Sequence, residues 1–195
     1  QTARKAKWVG RVIVSTDDPL IGAAALKSGA EVPFLRPKPL ASDRSPTVRA
    51  VLHAIGHLRG QGHPPKTVLV VLQPTSPFRS SDDIDRALAL FHAREAGSVV
   101  SVTGFEEPIA WAFKAARGGR LAACFPKHLK TRGQDLPPFV RPNGAIYIAW
   151  MADILRAKTL FVPPVYGYAM PPERSIDIDT PEDLAAARRT AGKRR

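Results

Sequence analysis

The sequence predicts an α/β fold: a single domain built on a mostly parallel sheet with helices on both faces. Three observations predict it. Apolar runs alternate with amphipathic segments along most of the chain. Two of the runs, Thr67 to Leu72 and Ser98 to Thr103, are apolar enough to be strands buried from both sides. With 195 residues and 44% hydrophobic content, the chain can bury one substantial core.

The elements follow in order. Arg11 to Ser15 reads as a buried strand, and Asp18 to Ser28 as a helix closed by Gly29. Glu31 to Leu35 is short and extended, and Arg36 to Pro39 is broken by two prolines. Pro46 to Leu58 has helical spacing, and the Gly- and Pro-rich segment 60–65 is a loop before the strand at Thr67 to Leu72. Ser81, Asp82 and Asp83 open a helix that runs to about Glu95, and Ser98 to Thr103 is the next strand. From Glu106 to Pro138 the periodicity breaks down. Gly118-Gly119 marks a hairpin there, between Trp111 to Lys114 and Leu121 to Cys124, in an excursion suited to a lid or a partner surface. Regular structure resumes with a strand at Asn143 to Ala149 and a helix at Met151 to Ala157.

Near the end, "SIDIDTPEDL" (175 to 184) reads as a strand that feeds a helix. Strand alternation sets Ile176 and Ile178 on one face and the carboxylates of Asp177 and Asp179 on the other. Thr180 is the expected N-cap, followed by Pro181 at the first helical position and acids in the first turn. The aspartates thus fall at the carboxyl end of a strand, where open α/β sheets bind ligands.

Composition narrows the classes of function. Apolar stretches such as Val68 to Leu72 are far too short to span a bilayer, and no charged-then-apolar leader opens the chain. Cys124 is the single cysteine, so no intrachain disulfide forms and a reducing cytoplasm fits. Cys124 reads as a small buried hydrophobe rather than a nucleophile. The formal charge of +12 raises the question of nucleic acid. Its basic clusters, however, lie at Arg4 to Lys7 and at Arg188, Arg189 and Lys193 to Arg195, near the termini and without interleaved aromatics. A basic surface suited to an anionic substrate is the expectation, with no nucleic-acid partner.

Five stretches carry a resemblance: "VIVSTDD" (12 to 18), "FLRPKPLASD" (34 to 43), "VLQPTSPFRSSDDID" (71 to 85), "RGQDLPPFVRPNGAIYI" (132 to 148) and "SIDIDTPEDL". In this order, over nearly the whole chain, they resemble the acylneuraminate cytidylyltransferases, which act on sialic, legionaminic and pseudaminic acids. The resemblance implies a Rossmann-like nucleotidyltransferase fold with a dimerisation insertion at 106–138. It also implies transfer of CMP from CTP to the anomeric hydroxyl of a nine-carbon 2-keto sugar acid, releasing pyrophosphate. Mg2+, a cytoplasmic homodimer and a place in cell-surface polysaccharide synthesis are implied with it. A cytidylyltransferase for the eight-carbon acid Kdo, and a catalytically degenerate binding subunit, are the alternatives.

The resemblance also assigns residues. Asp177 and Asp179 match the metal-binding pair, and a hard cation takes such oxygen ligands. Arg36 matches an arginine on the cytidine nucleotide, with Thr47 close to it. Gln73 resembles an amide that hydrogen-bonds the sugar acid, its alternative role being to cap the following turn. Arg132 and Arg141 match arginines that engage anionic groups, although Gly133 stands where many relatives have a second arginine. Asn143 and Tyr147 would line the sugar pocket. Phe161 would be either an apolar contact for a neighbouring subunit or core.

One part of the family pattern has no counterpart between Gln1 and Arg195: the opening strand and the Gly-containing basic loop that grips the nucleotide phosphates. The expectation is therefore a chain truncated at its amino end and without measurable synthesis as it stands. Arg44 and Arg79 are the first internal candidates should the phosphate site lie elsewhere.

Overall fold

The computed structural model describes residues 1–192 apart from Asp43 and Glu106; the basic tail Lys193 to Arg195 and the first residue of the expected 106–138 excursion lie outside the described residues. In chain order the elements are α1 (Thr2–Lys5), α2 (Pro19–Lys27), α3 (Thr47–Gly60), β1 (Val68–Val71), α4 (Ser81–Ala93) and β2 (Ser98–Gly104). They continue with β3 (Phe113–Ala115), β4 (Leu121–Ala123), β5 (Val140–Trp150), α5 (Met151–Ala157), β6 (Val165–Ala169) and α6 (Pro181–Gly192). The main sheet has the order β1-β5-β2-β6, and β3 and β4 form a separate antiparallel pair.

β5 runs antiparallel to both neighbours, β1 and β2, while β2 and β6 are parallel. Three of the four strands therefore point the same way, and β5 is the reversed strand between two of them. Strand alternation explains how helices cover both faces of this sheet. Ile146 and Ile148 of β5, with Val68 and Val70 of β1, pack on the side of α4, whose Ile84, Ala87, Leu88 and Phe91 are buried against them. Tyr147 and Ala149, with Leu69 and Val71, face the other way, onto Ile55 and Leu58 of α3 and Met151 and Ile154 of α5. Each large aliphatic side chain buried this way is worth about 1.5–3 kcal/mol. The register of β5 thus decides that Tyr147 looks toward α3, the helix that begins with Thr47.

The helix starts are set by local chemistry. The Asp18 carboxylate accepts from the amides of Leu20 and Ile21, with Pro19 in the first turn. In α4 the cap is Ser80, one residue ahead of the expected Ser81, because Asp83 completes a reciprocal capping box with Ser80. Thr180 and Asp183 repeat the device at α6: the Thr180 hydroxyl accepts from the Asp183 amide, and the Asp183 carboxylate accepts from the amide and hydroxyl of Thr180.

Three expectations change. Arg11 to Ser15 is not a regular strand; it makes a single parallel bridge, Ile13 to Glu31, and is only part-buried. Residues 175–179 are irregular rather than a strand, because their one backbone bond to the rest of the site is from the Ile178 amide to the Thr75 carbonyl. The last strand is instead β6, whose alternating exposure follows Tyr166 and Tyr168. The hairpin turning at Gly118 and Gly119 forms as expected, both glycines at positive φ. Cys124 beside it is exposed rather than buried. Among the described residues no helix is long and apolar enough to cross a membrane.

Candidate active site

The site begins where β1 ends. Residues Gln73 to Ser80 form a loop that is held by Arg79, whose guanidinium donates to the carbonyls of Gln73 (2.7 Å) and Ser76 (2.6 Å). Burial pushes the Arg79 pKa down to about 10, and its Nε has no partner among the described residues. A cation spent on two carbonyls is a staple for this loop, which separates it from the phosphate-binding role considered above.

Against the loop lies the one non-extended residue of β5. Gly144 has φ +75°, and a Cβ there would stand 2.5 Å from Gln73 Oε1, 2.9 Å from Ser76 Oγ and 3.5 Å from Asp177 Oδ2. Only glycine satisfies both the backbone and the space. Its missing side chain is what lets an amide and a hydroxyl from the 73–80 loop and a carboxylate from a distant part of the sequence converge.

A hydrogen-bond network fixes that convergence. Ser76 is fully buried; its hydroxyl donates to the Asn143 carbonyl at 3.0 Å and lies 3.5 Å from Asp177 Oδ1. The Asn143 side-chain oxygen accepts from the Ser101 hydroxyl (2.5 Å) and the Ala145 amide, while its nitrogen donates to Ser175 (2.8 Å). Ser175 in turn donates to the Pro171 carbonyl at 2.9 Å. One residue earlier, Arg174 pairs with the buried Asp83 at 3.2 Å, and Asp83 also accepts from the Tyr168 hydroxyl at 3.0 Å. Burial, reinforced by that bond, raises the Tyr168 pKa to about 12. Asp177 is therefore positioned from both sides of its own chain, although no strand carries it.

Beside this network is a cavity of about 260 Å³. Four expected residues line it, Thr47, Gln73, Tyr147 and Phe161, together with four that carried no signal in the sequence, Val48, Lys158, Thr159 and Leu160. Gln73 Nε2 donates to Thr47 Oγ1 at 3.2 Å, tying the first turn of α3 to the end of β1. Tyr147 and Phe161 meet edge to face at 5.9 Å. Burial first, then the charge of Asp177, raises the Tyr147 pKa, so its phenol stays a hydrogen-bond donor near neutral pH.

The remaining expected residues divide. Asn143 is 1% exposed and its side chain is committed to the network, so it shapes the site from beneath rather than lining the pocket. Phe161 is 46% exposed and is not core. Arg132, on the excursion, and Arg141, on β5 opposite Thr103, are exposed and outside the cavity lining. Arg36 is half-buried; its amide donates to the Thr16 carbonyl at 2.8 Å, its guanidinium donates to the Ser15 carbonyl, and its Nε has no described partner. Asp179 is exposed, and its amide donates to the Asp183 carboxylate at 3.2 Å. Neither Asp177 nor Asp179 has an ion-pair partner among the described residues, and no third His, Cys, Asp or Glu joins them. Asp177 and Asp179 are the side chains that could hold a hard cation, which takes oxygen ligands. Gly144 could have been found from the sequence, since a glycine inside a strand marks a close approach; Ser76 and Lys158 carried no such signal.

Comparison with known proteins adds independent findings. No protein-family model matches the chain. It is 32% identical over 177 residues to a pseudaminic acid cytidylyltransferase of Campylobacter jejuni, covering 91% of this chain and 76% of the relative. It is 34% identical over 181 residues to a CMP-N,N'-diacetyllegionaminic acid synthase of Legionella pneumophila, covering 89% and 75%. An N-acylneuraminate cytidylyltransferase of Escherichia coli is 31% identical over 96% of this chain, which spans 43% of that longer relative. Among solved structures, a CMP:2-keto-3-deoxy-manno-octonic acid synthetase complexed with CTP superposes with a TM-score of 0.68 at 13% identity, covering all of this chain and 86% of the other. A 4-diphosphocytidyl-2C-methyl-D-erythritol synthase gives the same TM-score at 12% identity, over 97% and 85%. At such identities these two show a shared fold alone.

Proposed function

This chain belongs to the acylneuraminate cytidylyltransferase family, and from that premise we propose that it serves transfer of CMP from CTP to a nine-carbon 2-keto sugar acid. In that reaction the anomeric hydroxyl oxygen bonds the α-phosphorus, the bond from that phosphorus to the pyrophosphate oxygen breaks, and the hydroxyl loses its proton. The observation that carries the reading is the convergence at Gly144: Gln73, which lines the cavity, and Asp177 both reach within 3.5 Å of the place a Gly144 Cβ would take. Gln73 and Thr47 offer polar atoms to the sugar, Tyr147 and Phe161 an apolar wall, and Arg36 a charge to the nucleotide. Asp177 and Asp179 would hold Mg2+, which when bound offsets charge that builds on the phosphate oxygens. The curated relatives at 30% identity or more act, by their names, on nine-carbon acids, which favours these over the eight-carbon acid.

The excursion fits self-association. Trp111, Phe113, Leu121 and Leu129 are all at least 40% exposed there, an apolar surface suited to a second copy of the chain. A dimer by light scattering at micromolar concentration is expected; a monomer would remove this part of the proposal.

Binding is the primary readout. Calorimetry should show Mg2+-dependent CTP binding, and ligand-observed NMR should show binding of N-acetylneuraminic, legionaminic or pseudaminic acid in preference to Kdo. Asp177→Asn should abolish the Mg2+ dependence while leaving the circular dichroism spectrum unchanged. Pyrophosphate release in the same samples tests turnover directly. Unaltered Mg2+ dependence in Asp177→Asn, or a preference for Kdo, would overturn the assignment.

A further inference from the structure

Lys158 ends α5 in an unusual way. It follows the last helical residue with φ 55° and ψ 31°, the left-handed region, and its amide donates to the Ile154 carbonyl. That conformation costs a side-chain-bearing residue about 1–2 kcal/mol, and glycine or asparagine adopts it more cheaply. The residue found there is an exposed lysine that lines the same cavity as Thr159, Gln73, Thr47 and Tyr147.

The charge is what gives the position meaning. Among the described residues that line the cavity, Lys158 alone is charged. Arg132 and Arg141 are outside the lining, and Arg79 is spent on the Gln73 and Ser76 carbonyls. A 2-keto sugar acid presents a carboxylate on the carbon next to its anomeric centre. A pocket that accepts it with only amide, hydroxyl and phenol groups would leave that charge partly desolvated and unpaired. Resting on the function proposed above, we propose that Lys158 is the specificity-determining cation of the sugar-acid pocket, pairing with the substrate carboxylate while Gln73 and Thr47 engage its neutral groups. A lysine at a helix end also complements the C-terminal carbonyls, but that role acts on stability and not on the choice between an acid and its ester.

The test is a ligand-observed NMR titration of the 195-residue chain with N-acetylneuraminic, legionaminic and pseudaminic acids, and with the methyl ester of whichever binds best. Lys158→Gly should weaken binding of the acid about tenfold, as loss of a charge-assisted hydrogen bond does. It should leave ester and CTP affinities unchanged and not lower the Tm, because glycine relaxes the backbone. Lys158→Arg should retain acid binding, and Lys158→Asn, which also tolerates the left-handed region, should behave as the glycine variant. Equal weakening for acid and ester would mean that shape rather than charge was lost, and would overturn the inference. Acid binding unchanged in Lys158→Gly and Lys158→Asn would overturn it while leaving the proposed function intact. A wild-type chain that binds none of the acids would overturn both.

Discussion

Around Gly144 the buried polar groups are largely matched to one another, Arg79 Nε being an exception, whereas around Arg36 several are not. Ser76, Ser101, Asn143 and Ser175 each hold a hydrogen-bond partner, and Asp177 is packed against them. Near Arg36, the Ser15 hydroxyl, the Arg36 Nε and the His53 Nδ1 are buried without a described partner. His53 and His57 are packed there on Phe34, with ring centroids at 5.0 and 4.4 Å from it. A closed network fixes geometry and has no spare capacity, while unmatched donors and acceptors retain capacity for a ligand. The proposed metal-and-sugar side of the site is thus built to hold positions. The expected nucleotide side is built to receive bonds.

The largest effect should come from closing the space at the first region. Gly144→Ala combines left-handed strain, about 1–2 kcal/mol, with overpacking against Gln73 and Ser76, about 1–3 kcal/mol. A loss of roughly 2–5 kcal/mol in urea unfolding is expected, along with loss of sugar-acid binding. Stability and binding both at wild-type level would show that the convergence is loose, and the contrast between the regions would fail.

Arg36→Met should do the opposite in the second region. CTP affinity should fall by about tenfold or more, as expected for a lost charged contact, with the urea midpoint little changed, because the bond to the Ser15 carbonyl is lost together with the unmatched buried Nε. A stability loss as large as that of Gly144→Ala, without any change in CTP binding, would make this cluster structural and erase the comparison.

The smallest effect concerns His53. Burial, then the charges of His57 and Arg36, lowers its pKa below the ordinary 6.5. Above pH 6.5 the folded and unfolded chains both hold a neutral His53 and its contribution is complete. As pH falls below 6.5 the unfolded chain binds a proton that the folded one resists, and that contribution is lost down to the lowered folded value. His53→Gln should flatten this part of the stability profile. An identical slope in the variant would assign the acid sensitivity to other groups, and CTP, by engaging Arg36, should shift the same profile only in the wild type.

Much of the scaffold was legible before any coordinates. The strands β1 and β2, the second buried and the first only part-buried at the sheet edge, the periodic helices α3 and α4 and the Gly-Gly hairpin all follow from patterns that act over fewer than fifteen residues. The Pro181 helix start was legible for the same reason, since Thr180 and Asp183 are three residues apart. The strand expected at residues 175–179 failed on a tertiary condition: alternating Ile and Asp suit a strand, but a strand needs a neighbour, and here only the Ile178 amide finds one. β6 was overlooked for the converse reason, because short Val165–Ala169 becomes a strand through its pairing with β2.

For the site, the sequence by itself determined which chemical groups are present: Gln73 after the strongest strand, Asp177 and Asp179 ahead of a capped helix, and a glycine within β5. Only the tertiary structure decided which of them work together. It turned Asn143 from an expected pocket residue into a buried brace, made Arg79 a staple, and brought Lys158 to the cavity wall. The physical reason is that identity and local propensity are properties of neighbouring residues. The partner of a hydrogen bond or the occupant of a cavity wall is chosen instead by segments that are distant in the chain, as when Ser76, Gly144 and Asp177 meet in the space of one absent Cβ.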